Sequence, residues 1–506
     1  MTLTPIPGVH ADVDLVELSV EVPAGGIITY DLRRLCSALG VTDPACLAVE
    51  TDGLNRALIT VYRNPPLANM PYAVGEDLVM DAQGYITVGL YHDGRPARIR
   101  LYEPGSGAQR SVMFGTTGAG KSRSLQLRLA AEKRSGIVSW LADLKGGQSV
   151  PEAKGQVDWH TTTQEGAILM LLSAVAVIEE RTRRYAAMGR SSFAINDPDP
   201  LLIVHIDEAN RLLEKGAPYR DLAAFLVKEL GRTGRSVGLG EDAAAQAGHI
   251  EELGGSDTLR AMFKEGEVVL LRWSSGMMAS LVSDGLLPAG TQLAVIPKRT
   301  GPPRLRSRFD VDDDASAPSS TAGTAYLLGS DRPGAVMRFF QVGSRVPVDG
   351  LDPLIVELYG PGEPRRLEQA SWEAAGEAYE ARHEDEIPAH LLAQLNGTTG
   401  DNANGDGDGD DAEDGEARPV KKGGAKGRLR MPKAAPATAP PAVKPTLAAR
   451  ILRVLEAGPL TRADILAAVN NDGGDQVTAG SVATNLTTLT KNGRTANPER
   501  GVYTLA

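Results

Sequence analysis

The feature that most constrains this chain is a glycine-rich segment, GTTGAGKS, at residues 115–122. It fits the pattern G-x-x-x-x-G-K-[ST], in which glycines let the backbone curl so that its N–H groups face phosphate oxygens. An apolar stretch, SVMF, precedes it, and the helical pattern KSRSLQLRLAAEK follows it. A strand is therefore predicted to lead into the loop and a helix to open from it. That context predicts a nucleotide-phosphate site, because helix N-termini favour anions.

Each residue of this P-loop has an expected task. The segment predicted to cradle ATP consists of Gly115, Thr116, Thr117, Gly118, Ala119, Gly120, Lys121 and Ser122. The Lys121 ammonium is expected to reach the β- and γ-phosphates, and the Ser122 hydroxyl to ligate Mg²⁺. ATP and Mg²⁺ are the cofactors that the sequence predicts.

A second apolar strand, LLIVHI at residues 201–206, runs into two acidic residues, Asp207 and Glu208. Asp207 is expected to hold Mg²⁺ through its water shell, and Glu208 to polarise the attacking water as the general base. His205, inside the strand, is interpreted as a hydrogen-bonded core residue rather than a ligand. The pair predicts hydrolysis of the bound nucleotide.

Weaker candidates surround this pair. DLKGG, residues 143–147, follows another predicted strand at the edge where ligands bind in such sheets. Gln246 is expected where a further strand ends, with its amide beside the γ-phosphate. Arg232 and Arg235, in GRTGR, are candidates for the cation that phosphoryl transfer often receives in trans. Four other arginines stay open for that role, namely Arg181, Arg183, Arg184 and Arg338.

Alternation of short apolar strands with longer helical patterns indicates the fold class. It predicts an α/β, RecA-like P-loop NTPase motor with a mostly parallel sheet covered on both faces. Around that motor the sequence predicts a small N-terminal mixed domain, a helical tail, a disordered acidic, basic and Pro/Ala-rich linker, and a winged helix. The expected bounds are 1–80, 81–345 for the motor, 346–395, 396–446 and 447–506. In the linker, residues 402–413 loosely match a calcium-loop spacing but lack flanking helices.

Composition limits where the chain can work. It has 506 residues, a formal net charge of −11 and two cysteines, so no disulfide framework is implied and an intracellular protein is indicated. The longest apolar run, Ala167–Ile178, is too short for a bilayer span of about 20 residues. A cytoplasmic protein is expected, with peripheral association at the cell membrane left open. The net charge still permits a local basic channel.

The last 60 residues have the outline of a winged helix. LAARILRVLEA and RADILAAV are predicted helices, and Thr461 with Asp464 resembles a capping box. Thr478 is expected to cap a third helix on which Val482, Leu486 and Leu489 share one face. GRTANPERGVYTLA is predicted to form a hairpin whose turn spans 497–501. The third helix would offer DNA a polar side made of Thr484, Asn485, Thr487, Thr488 and Lys491.

The ordered set of these motifs resembles the FtsK/SpoIIIE family of DNA-pumping ATPases. The likeness rests on GTTGAGKS, DLKGG, EERTRRYAAMG, LLIVHIDEAN and LGRTGRSVG, and covers about half of the chain. The expected absence of a membrane span and the predicted C-terminal winged helix resemble one branch of this family, the TraB-like transfer proteins of actinobacterial conjugative elements. The resemblance implies a hexameric homo-oligomeric ring with double-stranded DNA in its channel.

Some residues depart from the family pattern. The family has Asp-Pro-Lys-Gly where this chain has Asp143-Leu144-Lys145-Gly146, and Gln246 is followed by Ala-Gly rather than Arg-Pro. Glu241 and Asp242 are expected to interrupt the apolar strand before Gln246. Three alternative functions also stay open: a chromosome segregation motor, an ATPase that drives protein secretion, and a DNA-binding regulator without catalysis.

Overall fold

The computed structural model describes residues 2–6, 15–246, 262, 265–272, 293–301, 319–400, 447–456, 458–471, 477–491, 494–499 and 502–505. The chain divides into two compact units, residues 1–408 and 409–506, which are described separately. Among the described residues, no helix is both long and apolar enough to cross a bilayer. The predicted calcium-loop spacing at 402–413 and most of the predicted linker lie outside the described residues.

The N-terminal segment forms its own antiparallel sheet, in the order β1-β2-β4-β3. A short helix covers it, and its core contains Val20, Leu47 and Ile59. Cys36 and Cys46 are both buried free thiols. The elements are β1 (Thr2–Ile6), β2 (Leu15–Glu21), α1 (Leu32–Leu39), β3 (Leu47–Thr51) and β4 (Arg56–Tyr62).

A ten-stranded sheet forms the centre of the first unit, in the order β11-β10-β12-β13-β9-β14-β17-β18-β5-β6. The six strands from β11 to β14 are parallel, and the remaining four are antiparallel. The parallel strands are buried on both faces, as their continuous apolar sequences predict. The mostly parallel α/β fold class is therefore confirmed.

The bounds of these strands are β5 (Tyr85–Tyr91), β6 (Pro96–Arg100), β7 (Tyr102–Glu103), β8 (Gly107–Ala108), β9 (Ser111–Gly115), β10 (Val138–Asp143), β11 (Trp159–Thr161), β12 (Leu202–Asp207), β13 (Leu239–Ala245), β14 (Glu267–Leu271), β17 (Thr324–Leu327) and β18 (Met337–Phe339). Two short strands, β15 (Arg299–Thr300) and β16 (Ser319–Ser320), pair with each other outside this sheet. Likewise, β7 and β8 form a separate small hairpin beside it.

Helices cover the ten-stranded sheet and extend into the predicted helical tail. The helices that cover the sheet are α2 (Lys121–Arg134), α3 (Gln164–Ala187), α4 (Asn210–Leu213) and α5 (Arg220–Thr233), and the tail helices are α6 (Pro353–Tyr359), α7 (Gln369–Glu380) and α8 (Ala389–Gly400). Tail side chains such as Tyr359 and Tyr379 belong to the core around this sheet, so the tail completes that core. The predicted start of the linker at Asn396 is wrong, because α8 continues to Gly400.

The second unit contains three helices and a three-stranded antiparallel sheet in the order β19-β21-β20. Val482, Leu486 and Leu489 lie together in its core, as their helical spacing predicts. Thr461 accepts a hydrogen bond from the Asp464 N–H at 3.3 Å, which confirms that cap. The elements are α9 (Leu447–Leu455), β19 (Leu460–Thr461), α10 (Arg462–Asn470), α11 (Ala479–Lys491), β20 (Thr495–Glu499) and β21 (Val502–Leu505).

The predicted hairpin turn at 497–501 begins too early. Strand β20 continues to Glu499, which pairs with Val502. A register shift between Ala496 and Glu499 accommodates the intervening residues. Such a bulge lets a strand carry a residue such as Pro498, which has no N–H for the ladder.

The predicted interruption of the strand before Gln246 is also wrong, because β13 runs unbroken from Leu239 to Ala245. The reason is a buried charge network at Asp242. The Asp242 carboxylate accepts a hydrogen bond from Arg128 Nη1 at 2.8 Å and contacts His205 Nδ1 at 3.0 Å. His205 Nε2 contacts Glu132 Oε2 at 2.7 Å. Two carboxylates and two basic groups thus compensate one another inside the sheet.

The groups in this network shift the pKa values of His205 and Asp242 so that both stay ionised. Burial alone would lower the pKa of His205, but Glu132 and Asp242 raise it to about 9. Burial opposes ionisation of Asp242 as well, yet Arg128 and His205 lower its pKa to about 2. His205 is thus a hydrogen-bonded core residue, as predicted, and it is positively charged at neutral pH.

Glu241 is buried in a different way. Neither of its carboxylate oxygens has a hydrogen-bond partner among the described residues. Burial raises the pKa of Glu241 to about 8, although the charge of Arg110 opposes this change. The side chain is therefore neutral near pH 7, which is how the strand accommodates it.

We predict that Glu241→Gln removes a pH-dependent loss of stability. The pKa of Glu241 is higher in the folded chain than in the unfolded chain. The contribution of this side chain to folding stability is therefore fully present below about pH 4.5 and is lost as the pH rises to about 8. The difference in unfolding free energy between the variant and the wild type should grow over that window by about 1.4 kcal/mol per pH unit. Thermal unfolding from pH 5.5 to 9 measures it.

The exposed Glu179→Gln provides the control and should show a constant offset at every pH. Parallel melting curves for Glu241→Gln and the wild type across the whole range would contradict the assignment of a buried, neutral Glu241.

Candidate nucleotide site

The glycine-rich loop has the strand–loop–helix geometry that its sequence predicts. Strand β9 ends at Gly115, and α2 begins at Lys121. Gly120 has φ +111° and a Cβ there would lie 2.8 Å from the Gly323 backbone nitrogen, so only glycine fits. The Gly323 N–H also donates to Ala119 O at 2.8 Å, which braces the loop from behind.

The Lys121 side chain is turned back over its own loop. Its Nζ donates to Gly115 O at 2.7 Å, and the residue is buried. Burial lowers the pKa of Lys121, while the negative charges of Glu208 and Asp207 raise it in part. Lys121 and the acidic pair therefore lie close enough to interact electrostatically, at the edge of the sheet where the parallel strands β9 and β12 both end.

The acidic pair lies at the carboxyl end of β12. Asp207 is its last residue and stands opposite Asp143, the last residue of β10. Glu208 follows with φ +58°, a left-handed conformation that glutamate seldom adopts. Asp207 Oδ2 and Glu208 Oε2 are buried without a hydrogen bond from the described residues, although Lys145 Nζ lies 3.0 Å from that Glu208 oxygen as an ion-pair partner.

The Asp207 oxygen suits a magnesium ion. Oxygen ligands are the ones Mg²⁺ prefers, and an unpartnered buried carboxylate oxygen is stabilised by a cation. Burial, followed by the charge of Asp143, raises the pKa of Asp207, so a bound cation would favour its ionised form. Ser122, at the second position of α2, remains the predicted P-loop ligand.

Two of the weaker predicted elements are brought to the same place. Gln246 directly follows β13, and its Nε2 donates a hydrogen bond to Glu208 Oε1. In the DLKGG segment, Asp143 accepts hydrogen bonds from the backbone N–H groups of Ser149 at 2.9 Å and Val150 at 3.2 Å. The segment thereby forms a tight loop that carries Lys145 toward Glu208.

The predicted arginines lie elsewhere. Arg232 is exposed and pairs with Glu229, while Arg235 is exposed and pairs with Glu103 at 2.9 Å. The Arg235 backbone abuts Gly107, which precedes the start of β9, whereas the P-loop follows the end of that strand. Both arginines therefore lie near the edge of the sheet opposite the P-loop of their own subunit.

Three of the four alternative arginines have structural partners. Arg181 is fully buried and bonds to Glu368, and Arg184 bonds to Asp199 and Glu368. Arg338 donates to the carbonyls of residues 67, 68, 320 and 322. These contacts leave the three side chains unsuited to act on a neighbouring subunit.

Arg272 lies beside the P-loop, although the sequence did not single it out. Arg272 follows β14, which pairs with the P-loop strand so that Leu271 stands opposite Gly115. The Arg272 Nη1 atom lies 3.5 Å from the position that a Cβ on Gly118 would occupy. The only sequence signal was the apolar strand EVVLL before it, and no motif marks such a residue.

The predicted DNA-reading residues all lie on α11. Thr487 is exposed and donates to Ala483 O at 2.9 Å, and Asn485 donates to Ser481 O at 3.0 Å. Both side chains thus bond to their own helix. The side chains of Thr484, Thr488 and Lys491 lie outside the described residues.

Comparisons with known proteins give structural similarities only. No protein-family model and no curated protein matches the chain. The pCW3 conjugation coupling protein TcpA, in its monomer form with ATPγS, is 16% identical with a TM-score of 0.40, over 67% of this chain and 89% of that one. The cytoplasmic domain of the Thermomonospora curvata type VII secretion ATPase EccC is 20% identical with a TM-score of 0.41. That match covers 61% of this chain and 34% of EccC.

A third similar structure is the bacterial conjugative coupling protein TrwB without its first 70 residues, at 11% identity and a TM-score of 0.25. It covers 54% of this chain and 94% of that one. Conjugation coupling proteins and a type VII secretion ATPase are thus among the solved structures to which the chain is similar. At these TM-scores, the function has to be argued from the chain's own site.

We predict that Glu208→Gln separates ATP binding from turnover. Glutamine keeps the acceptor for Gln246 but cannot take a proton from water, so turnover should fall by about 100-fold or more. Binding of a fluorescent ATP analogue should remain within about threefold of wild type, because the P-loop is untouched. The exposed Glu214→Gln is the matched control and should behave as wild type. Normal turnover in Glu208→Gln would show that another group is the base.

Proposed function

We propose that this chain is a Mg²⁺-dependent ATPase that moves double-stranded DNA, in the transfer of a conjugative plasmid or element between cells. The observation that supports hydrolysis most directly is that Lys121, Asp207 and Glu208 lie at the same edge of the sheet, close enough to interact electrostatically. Lys121 would bind the β- and γ-phosphates, and Asp207 with Ser122 would hold Mg²⁺. Mg²⁺ would neutralise charge on the phosphates, while Glu208 takes the proton of the attacking water.

Gln246 would report on the state of the γ-phosphate. Its amide touches Glu208 and directly follows a strand of the motor sheet. A change at the phosphate would therefore pass through Gln246 into β13, whose Asp242 is tied to the P-loop helix through Arg128. Such a connection is what a motor needs in order to turn hydrolysis into movement.

A ring of identical subunits fits the positions of the arginines. Arg232 and Arg235 are exposed at the sheet edge away from their own nucleotide site. In a closed ring, one subunit can place such a residue against the ATP of the next, where it would stabilise charge in the transition state. We therefore propose a homo-oligomer, hexameric as in the family that the motifs resemble.

Double-stranded DNA is the proposed substrate because of the second unit. Its three helices and three-stranded sheet have the element order of a winged helix, with α11 as the recognition helix. Thr487 and Asn485 could exchange their bonds within the helix for bonds to base edges. The motor itself would contact phosphates without reading sequence, in a cytoplasmic complex that associates peripherally with the membrane.

We predict that duplex DNA stimulates ATP hydrolysis. A motor whose cycle is coupled to DNA turns over faster when DNA occupies its channel, and we expect several-fold stimulation that weakens with salt, because phosphate contacts release counterions. Steady-state ATPase activity with and without duplex, from low to physiological salt, measures it. Hydrolysis that ignores duplex would favour the secretion alternative, and no hydrolysis at all would favour a non-catalytic regulator.

We also predict that deletion of residues 447–506 abolishes sequence preference and little else. ATPase activity and salt-sensitive binding to random duplex should remain, since the catalytic groups lie in the first unit. The preference is measured by selecting bound duplexes from a random pool with the full chain and the truncated chain. A full-length variant that combines Asn485→Ala and Thr487→Ala tests the same loss of sequence preference without removing the second unit. If the truncated chain selects the same sequences, the second unit is not the reading module.

A further inference from the structure

Left-handed backbone conformations single out two positions at the nucleotide edge of the sheet. Among the described residues, the non-glycine residues with positive φ are Asn196, Glu208 and Arg272, at 60°, 58° and 49°. Asparagine tolerates this conformation, but glutamate and arginine adopt it at a cost that the surrounding structure must offset. Glu208 follows β12 directly and Arg272 follows β14 directly. Glu208 has a proposed catalytic role. Because Arg272 has a similarly strained backbone, we expect a functional role for Arg272 as well.

The Arg272 side chain is held rigidly beside the P-loop. Its backbone N–H donates to Thr324 O at 3.0 Å. Its Nε donates to Thr321 Oγ1 at 3.2 Å, and its Nη2 donates to Ser320 Oγ at 3.0 Å. These neutral hydroxyls fix one side of the guanidinium and leave Nη1 on the side of Gly118.

Among the described residues, no carboxylate pairs with the buried charge of Arg272. The residue is only 9% exposed, and burial lowers the pKa of its guanidinium. The buried Arg128 differs, since it pairs with both Asp242 and Glu132. A desolvated cation that has no counter-ion is costly unless an anion joins it. Position and charge together predict an anionic ligand at this face of the loop.

We propose that Arg272 binds the phosphate chain of the nucleotide in its own subunit, on the side of the P-loop strand away from Glu208. The P-loop backbone at Gly118 is built to face phosphate, and a planar guanidinium is well suited to bind two phosphate oxygens at once. This proposal rests on the proposed ATP site. It assigns Arg272 a contact in cis, separate from the contact in trans of Arg232 and Arg235.

Arg272→Gly is the sharpest test, because glycine adopts φ +49° without strain while the guanidinium is removed. In the full chain with Mg²⁺, affinity for fluorescent ATP and ADP analogues should fall by about tenfold or more. The melting temperature without nucleotide should stay at or above that of wild type, while the rise in melting temperature on adding ATP should be smaller than in wild type. The nucleotide affinity of Arg272→Lys, which keeps a positive charge, should lie between that of the wild type and that of Arg272→Gly.

Arg272→Asn serves as a second variant that tolerates the left-handed backbone, and the half-exposed Arg98→Gln is a control on the same sheet. If Arg272→Gly and Arg272→Asn bind and hydrolyse ATP as the wild type does, the inference is overturned while the ATPase proposal stands. If the wild-type chain itself binds no nucleotide, both proposals fail together.

Discussion

The rest of the structure depends on a buried group of charges that joins the P-loop helix to two central strands. Arg128 and Glu132 come from α2, His205 from β12 and Asp242 from β13. These ion pairs fix the rotation of the helix and the register of the strands, because an uncompensated charge there would be costly. The network positions Lys121, which lies about two turns before Arg128 on the same helix, and Asp207, which lies two residues after His205.

The second constraint is the shared edge of the parallel strands. Strands β10, β12, β13, β9 and β14 all end on the side where the P-loop opens, so that residues distant in sequence meet there. Lys145, Glu208 and Gln246 follow three of these strands, and Arg272 follows a fourth. Lys145 has an ion pair with Glu208, Glu208 and Arg272 have left-handed backbones, and Gln246 contacts Glu208. Arg272 also has a buried charge that no carboxylate of the described residues pairs with.

Sequence alone predicted the parts whose signals are local. The P-loop, its flanking elements and the acidic strand end were readable because spacing and apolar runs determine them. Asp242 was misread as a break in a strand, because its partner Arg128 is 114 residues away along the chain and no local pattern shows the pairing. Glu241 was also wrongly predicted to interrupt the strand, because the sequence does not show that burial keeps this side chain neutral. Arg272 was missed because its significance comes from neighbours at residues 320–324, which only the fold brings close.

We infer that Lys121, Asp207 and Glu208 serve a single bound nucleotide. A structure of the full chain with Mg²⁺, ADP and a fluoride mimic of the transferring phosphate would decide this. We expect the mimic between Lys121 Nζ and the Glu208 carboxylate, with Lys121 released from Gly115 O and Mg²⁺ near Ser122 and Asp207. A nucleotide bound on another face, or a mimic out of reach of both carboxylates, would contradict it.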